Sequence, residues 1–339
     1  MSDRPDVTTR NAAGQRRWVC EAADVARFGS LGDLSDDQFQ AALDRFDLGT
    51  LRSAEAFSDG LFGKNVGIVT DTGRWVLRGD PWPAHTDEQF RRERFWASCV
   101  RARCDVPVPW PFHIEADESL FGWPYQLTPW MPGTTAYDAA AATALGNAAA
   151  DLRRVTFDSF GSWSPESDAL KPFAGSATEW LWQRTRMWID QAGAQARPLT
   201  DSDIDWVRSL LPADLDGVVP TYVHHDLKLG NCVCRDGEVT GLFDLGEGLI
   251  GDPLEDLART TWDLAHRDPA LVPIFLRAYA AAAQVPVPLD RLWTYVVFDL
   301  LVIWEFGTRP TQKWFTEPTF KLWVHAFAAP VAAAIEMHV

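Results

Sequence analysis

The sequence predicts an α+β chain of two lobes, a small antiparallel β-sheet lobe followed by a larger, mainly helical one. Three observations carry this. Residues 66–70 and 74–78 are β-branched or aromatic runs flanking the turn Asp71-Thr72-Gly73, which reads as a hairpin. The breaker Met131-Pro132-Gly133 closes a stretch of short apolar segments and marks a lobe boundary. Beyond Thr134 apolar residues recur mainly at helical spacing.

Taken in order, residues 1 to about 30 lack clear periodicity, and 1–34 read as a partly ordered extension. Ser35, with Gln38 three residues on, forms a capping-box pattern, and Phe39, Ala42, Leu43 and Phe46 follow at helical spacing up to Gly49. Residues 87–99 carry Phe90, Phe95 and Trp96 among charges and read as a helix. Apolar segments at 110–114 and 125–128 complete a first lobe over 35–131. The second lobe, 132–339, is expected to hold helices at 139–155, 177–191, 201–211, 254–266, 271–282, 290–306 and 316–337. One stretch of strands, 218–245, interrupts them. There is no internal repeat, and low complexity is confined to short Ala runs at 139–142 and 280–283.

A length of 339 residues allows two or three packed units, or one large one with two lobes. With 31 basic against 47 acidic residues the formal charge is −16, which disfavours nucleic acid and anionic membranes and would draw in a cationic small molecule. The longest apolar candidate, 322–335, is broken by His325 and Pro330 and is too short to span a bilayer. Residues 1–17 show no apolar signal core, so a cytoplasmic location is expected. Five cysteines, an odd number with no C-x-x-C pair, argue for reduced thiols over disulfides or a zinc site. The 17 tryptophans fit core filling first and a stacking site second.

The chemistry concentrates in Val223-His224-His225-Asp226-Leu227-Lys228-Leu229-Gly230-Asn231, followed by Leu242-Phe243-Asp244 after an apolar strand. Phosphoryl transfer needs a carboxylate to orient and accept a proton from the attacking hydroxyl, and oxygen ligands to hold magnesium on the phosphates. Asp226, Asn231 and Asp244 supply that set, as catalytic residue and metal ligands respectively.

With these residues in this order after a β-rich first lobe, the chain resembles the aminoglycoside phosphotransferase and choline kinase group of small-molecule kinases, distant relatives of the protein kinases. The similarity runs from about Ser35 to the C-terminus and continues through Gly251-Asp252-Pro253-Leu254-Glu255-Asp256-Leu257-Ala258, which in that family anchors the next helix. The resemblance implies a two-lobed protein-kinase-like fold, ATP or GTP as phosphoryl donor, and Mg2+. It implies that His224 is a buried residue shaping the loop, and that Lys228 touches the transferring phosphate, where the alternative is an ordinary exposed lysine. His225 fills a position that is usually small.

In the first lobe the resemblance assigns the phosphate-covering loop to 58–65, with Ser58, Gly60 and Asn65, ahead of the first strand. It assigns Arg78 to the grip on the α- and β-phosphates and Glu93 to its ion-pair partner. Arg is planar and bidentate where the family also uses Lys, so the pairing geometry differs. Residues 126–131 align with the hinge that reads the nucleobase, through Thr128 and Trp130. Pro129 there has no amide donor, which leaves adenine and guanine both open.

The acceptor is expected over Asp226, between the lobes and against the C-terminal helices, lined by Glu247, Asp263, Asp299, Trp304 and Glu305. It is a hydroxylated small molecule: an aminoglycoside, nucleoside, peptide or macrolide antibiotic, or a metabolite such as choline. Two other classes stay open, a catalytically silent binding protein of the same fold and a dinucleotide-dependent oxidoreductase. The latter rests on Gly246-Glu247-Gly248-Leu249-Ile250-Gly251 alone, and residues 262–280 lack the second strand it needs. Cys232 and Cys234 share one face of a strand without further metal ligands nearby. A monomer and a dimer are equally compatible with the sequence.

Overall fold

A computed structural model describes residues 8–10, 16–18, 33–56, 64–79, 87–193, 195, 197–212, 215, 217–308, 315 and 317–336. In chain order the elements are β1 (Thr8–Arg10), β2 (Arg16–Trp18), β3 (Asp33–Leu34), α1 (Asp36–Asp44), β4 (Leu51–Ala56), β5 (Lys64–Thr70), β6 (Arg74–Gly79), α2 (Glu88–Arg101), β7 (His113–Glu115) and β8 (Tyr125–Pro129). There follow α3 (Ala139–Leu152), β9 (Gly161–Ser164), β10 (Ala169–Pro172), α4 (Ala177–Gly193), α5 (Asp201–Leu210), β11 (Thr221–Val223), β12 (Cys232–Arg235), β13 (Glu238–Leu242) and β14 (Leu249–Gly251). The chain ends with α6 (Leu254–Arg267), α7 (Leu271–Ala283), α8 (Leu289–Gly307), α9 (Phe320–Phe327) and α10 (Ala329–Glu336). It divides into two compact units, Met1–Arg94 with Pro109–Met131, and Phe95–Val108 with Pro132–Val339.

The first unit is built on an antiparallel sheet of order β4-β5-β6-β8-β7. Its hairpin pairs Asn65 with Arg78 and Val69 with Arg74, and β6 pairs Arg78 with Gln126 of β8. The expected helix after Ser35 forms because the Ser35 side chain accepts from the Gln38 amide while Gln38 reaches back to the Ser35 amide. Its apolar face, Phe39, Ala42 and Leu43, packs into a core with Val66, Ile68, Leu77, Tyr125 and Leu127. Gly79 is required at the end of β6, since a Cβ there would lie 2.0 Å from the Trp123 ring.

Within 1–34, the described residues form the strands β1, β2 and β3, paired in that order. One expectation is corrected here. The hairpin strand β5 is preceded by β4, which pairs with it through Ala54↔Ile68, so the 58–65 segment does not precede the first strand of this sheet. Ser58 and Gly60 lie outside the described residues.

In the second unit α3 lies against α7, where Gly146 allows the close approach: a Cβ there would meet the Phe275 carbonyl oxygen at 2.6 Å. The lobe is less purely helical than expected, because β9, β10, β14 and β11 form a sheet of order β10-β9-β14-β11. The single helix expected over 316–337 is two. Thr319 caps α9 at its start and Ala328 is its C-cap, and Pro330, with no amide to donate, is accommodated in the first turn of α10.

The element pairing that matters most is β11 with β14, antiparallel with Val223↔Leu249. It closes residues 224–248 into one excursion that leaves and re-enters the same sheet. The β12–β13 hairpin, Cys232↔Leu242, folds back inside it and brings Asn231 beside Phe243. Among the described residues no helix is long and apolar enough to cross a membrane.

Candidate active site

The loop after β11 is tied down by α6. Both carboxylate oxygens of Asp256 accept backbone amides, from His224 and His225, each at 2.8 Å. Burial pushes the Asp256 carboxyl up to about 7, against the pull of those two amides. His225 takes a left-handed backbone, φ 66°, and its ring lies 3.4 Å from Arg184. Burial, reinforced by Arg184 and Arg259, lowers its pKa to about 3, so the ring is neutral. Arg184 is itself held by both oxygens of Glu255, at 2.9 and 2.5 Å.

His224 is fully buried, and burial lowers its pKa. Its Nδ1 accepts from the Asp226 amide at 3.3 Å while Nε2 lies 2.8 Å from the Phe243 carbonyl. A neutral ring carrying its proton on Nε2 satisfies both bonds. It thereby pins the Asp226 segment to the segment carrying Asp244.

Asp226 is surrounded by donors. Oδ1 accepts from Arg259 Nε at 2.8 Å and Nη2 at 2.5 Å, and Oδ2 accepts from Lys228 Nζ at 2.7 Å and Asn231 Nδ2 at 2.8 Å. Burial raises its pKa, but Arg259 and Lys228 outweigh it and hold the carboxyl at about 2. Asn231 also donates to the Asp226 carbonyl, and the Phe243 amide donates to the Asn231 carbonyl at 2.8 Å. Asp244 follows in a left-handed conformation, φ 61°. Asp226, Lys228, Asn231 and the strand end carrying Asp244 are therefore brought together. Asn231 and Asp244 offer the hard oxygen donors that magnesium takes alongside phosphate oxygens. No cluster of three or more His, Cys, Asp or Glu side chains suited to a metal occurs among the described residues.

In the first unit Arg78 and Glu93 form an ion pair at 2.6 Å, with Glu93 buried and its other oxygen accepting from Gln126 at 2.9 Å. Asn65 sits opposite Arg78 on β5. Thr128 is buried within the sheet. The Trp130 amide donates to the Arg74 carbonyl at 2.9 Å and its ring lies 4.3 Å under the Arg74 guanidinium.

The five acceptor candidates separate. Asp299 reaches the Asp226 carboxylate through Arg259, 3.4 Å away, and Asp263 is paired with Arg267 at 3.1 Å. Glu247 is exposed on a short turn after Asp244. Trp304 and Glu305 are corrected to interior residues: Trp304 is fully buried, stacked 5.1 Å from Phe315 with its N–H on the Arg197 carbonyl, and Glu305 is buried against Gln195. A sealed ring offers no face to a ligand.

Sequence reasoning missed Arg259, Trp262 and the Arg184–Glu255 pair. Arg259 follows Asp256 by three residues, one helical turn along the same face, a spacing that could have pointed to it. Gly246–Gly251 is no dinucleotide fingerprint, since β14 runs antiparallel to β11 and the next helix starts only at Leu254.

Similar folds occur among solved structures. Macrolide 2'-phosphotransferase MphH from Brachybacterium faecium superposes with a TM-score of 0.58 at 20% identity, covering 88% of this chain and 97% of that one. A thermostable mutant of aminoglycoside phosphotransferase APH(4)-Ia, solved as a ternary complex with ADP and hygromycin B, gives 0.52 at 16%, covering 87% and 97%. A protein of Haemophilus somnus described as a fructosamine-3-kinase gives 0.60 at 14%, covering 87% and 96%. At these identities the likeness establishes the fold, which is protein-kinase-like. The class of protein, an enzyme that transfers phosphoryl groups, follows from a sequence model of the family. The family model described as the phosphotransferase enzyme family matches residues 53–291, more than half of the chain, and the chain belongs to that family. No match was found among curated proteins.

Proposed function

We propose that this enzyme is a magnesium-dependent kinase that moves the γ-phosphoryl of ATP or GTP onto a hydroxyl of a small molecule, an antibiotic natural product. The observation that carries this reading is the Asp226 carboxylate, ionised and held by Arg259, Lys228 and Asn231 on a loop that His224 ties to the carbonyl of Phe243, next to Asp244. The hydroxyl oxygen attacks the γ-phosphorus, the bond to the β-phosphate oxygen breaks, and the nucleoside diphosphate leaves. A carboxyl held near 2 is a weak base, so Asp226 chiefly orients the hydroxyl and accepts its proton late, as suits a loose transition state. Asn231 and Asp244 would hold magnesium, which neutralises charge on the phosphates when bound. Arg78, fixed by Glu93, is the phosphate clamp, and Lys228 meets the transferring group.

The likeness to a protein described as a fructosamine-3-kinase keeps a second acceptor class, sugar-like metabolites, beside antibiotics. The test is mass spectrometry of hydroxylated antibiotics and metabolites incubated with the protein, magnesium and either ATP or GTP, with Asp226→Asn as control. A compound that gains one phosphoryl mass with the wild type alone supports the reading. Equal activity in Asp226→Asn would sink the assignment of Asp226.

A further inference from the structure

A carboxylate offers about four acceptor positions, two on each oxygen. In Asp226 all four are taken: Oδ1 by Nε and Nη2 of Arg259, Oδ2 by Lys228 and Asn231. An acceptor hydroxyl can therefore be bound only when one donor lets go. The two cations differ in how firmly they are held. Lys228 contributes a point charge on a flexible stem, with its side chain 24% exposed. The Arg259 side chain is 11% exposed and its planar guanidinium has three supports. It bonds Asp226 with two nitrogens, meets Asp299 with the third, and lies 4.3 Å over the Trp262 ring. Trp262 in turn donates its indole N–H to Asp299, which closes the arrangement.

We propose that Arg259 is a positioning residue that locks Oδ1 of Asp226, so that Oδ2 is the atom that meets the acceptor hydroxyl once Lys228 leaves it for the incoming phosphate. Asp299 and Trp262 form the seat of Arg259. Asp299, expected from the sequence to line the acceptor site, thus acts through Arg259. The proposal rests on the reading of the chain as a phosphoryl-transfer enzyme.

The experiment measures ADP release from ATP and magnesium by the full chain, with the acceptor identified by mass spectrometry or with water as acceptor. Arg259→Ala is expected to lower kcat on the order of 10²-fold, the cost of a reacting group misplaced by about an ångström, at unchanged KM for ATP. Arg259→Lys should retain more activity, and added guanidinium ion should restore part of the rate to Arg259→Ala. In an Asp226→Asn background Arg259→Ala should cause no further loss, because Arg259 acts only through that carboxylate. A purely structural residue would lower the residual rate again and show no rescue. Wild-type kcat in Arg259→Ala, or an undiminished effect in the Asp226→Asn background, overturns the proposal. Should Arg259→Ala fail to fold, Arg259→Gln and Arg259→Lys carry the same comparison. A wild-type protein that binds ATP and releases no ADP overturns the phosphotransferase reading itself, and is seen before any variant is made.

Discussion

At the scale of single residues, the loop is a balance of buried charges. Asp226 stays ionised because two cations outweigh its burial, whereas Asp256, met by two amides and no cation, is pushed up to about 7. A group whose folded pKa lies above its unfolded value stabilises fully at low pH and loses that contribution as pH rises through the folded pKa. Stability attributable to Asp256 should therefore decline from about pH 4 to about pH 7. Thermal unfolding of wild type and Asp256→Asn across that range checks it, the variant being the less stable but the flatter. Arg184 and Glu255 are both buried, so Glu255→Gln leaves a guanidinium without its counter-charge. We expect a loss of about 3–5 kcal/mol, read from urea unfolding.

At the scale of elements, the β11–β14 pairing decides where the loop can be, and helix contacts hold that frame. Gly146→Ala would gain about 1 kcal/mol of helix propensity. Its methyl group, however, would press on the Phe275 carbonyl and Ala278 of α7, a backbone contact that cannot yield easily. A net loss of stability is expected, with overpacking costing about 1–3 kcal/mol. A Tm at or above that of wild type would show that α3 and α7 separate freely. The elements legible in advance were those with a local cause, such as the Ser35 capping box and the hairpin at Gly73. The β9–β10 hairpin was not, because Gly-Ser-Trp-Ser and Ala-Leu-Lys-Pro lack alternating apolar residues and gain their structure by pairing with each other and with β14. Pro330 was visible in the sequence, but only the packed chain shows it opening a second helix.

At the scale of the whole molecule, a formal charge of −16 on 339 residues implies self-repulsion that salt relieves. The screening length falls from about 30 Å at 0.01 M salt to about 8 Å at 0.15 M. Tm should accordingly rise between these salt concentrations, as scanning calorimetry would show; a fall would mean that ion pairs such as Arg45–Glu115 and Arg78–Glu93 dominate instead. The same charge made a cationic acceptor attractive from composition alone. Around Asp226, however, the nearest charged side chains are Arg259 and Lys228, and the acidic candidates Asp263 and Asp299 are already paired with arginines. A global charge thus says little about the field at one carboxylate.

The sequence by itself determined which side chains meet on the loop. Asp226, Lys228 and Asn231 lie within six residues, and such spacing dictates their meeting in any fold that bends there. It also determined the order of a sheet lobe before a helical one, because hydrophobic period and turn residues act locally. Only the tertiary structure decided how the Asp226 carboxylate is held. Arg259 reaches Asp226 from 33 positions away and Asp299 reaches Arg259 from 40, and no periodicity encodes such distances. Packing alone brings those charges together, and burial then makes each depend on the next.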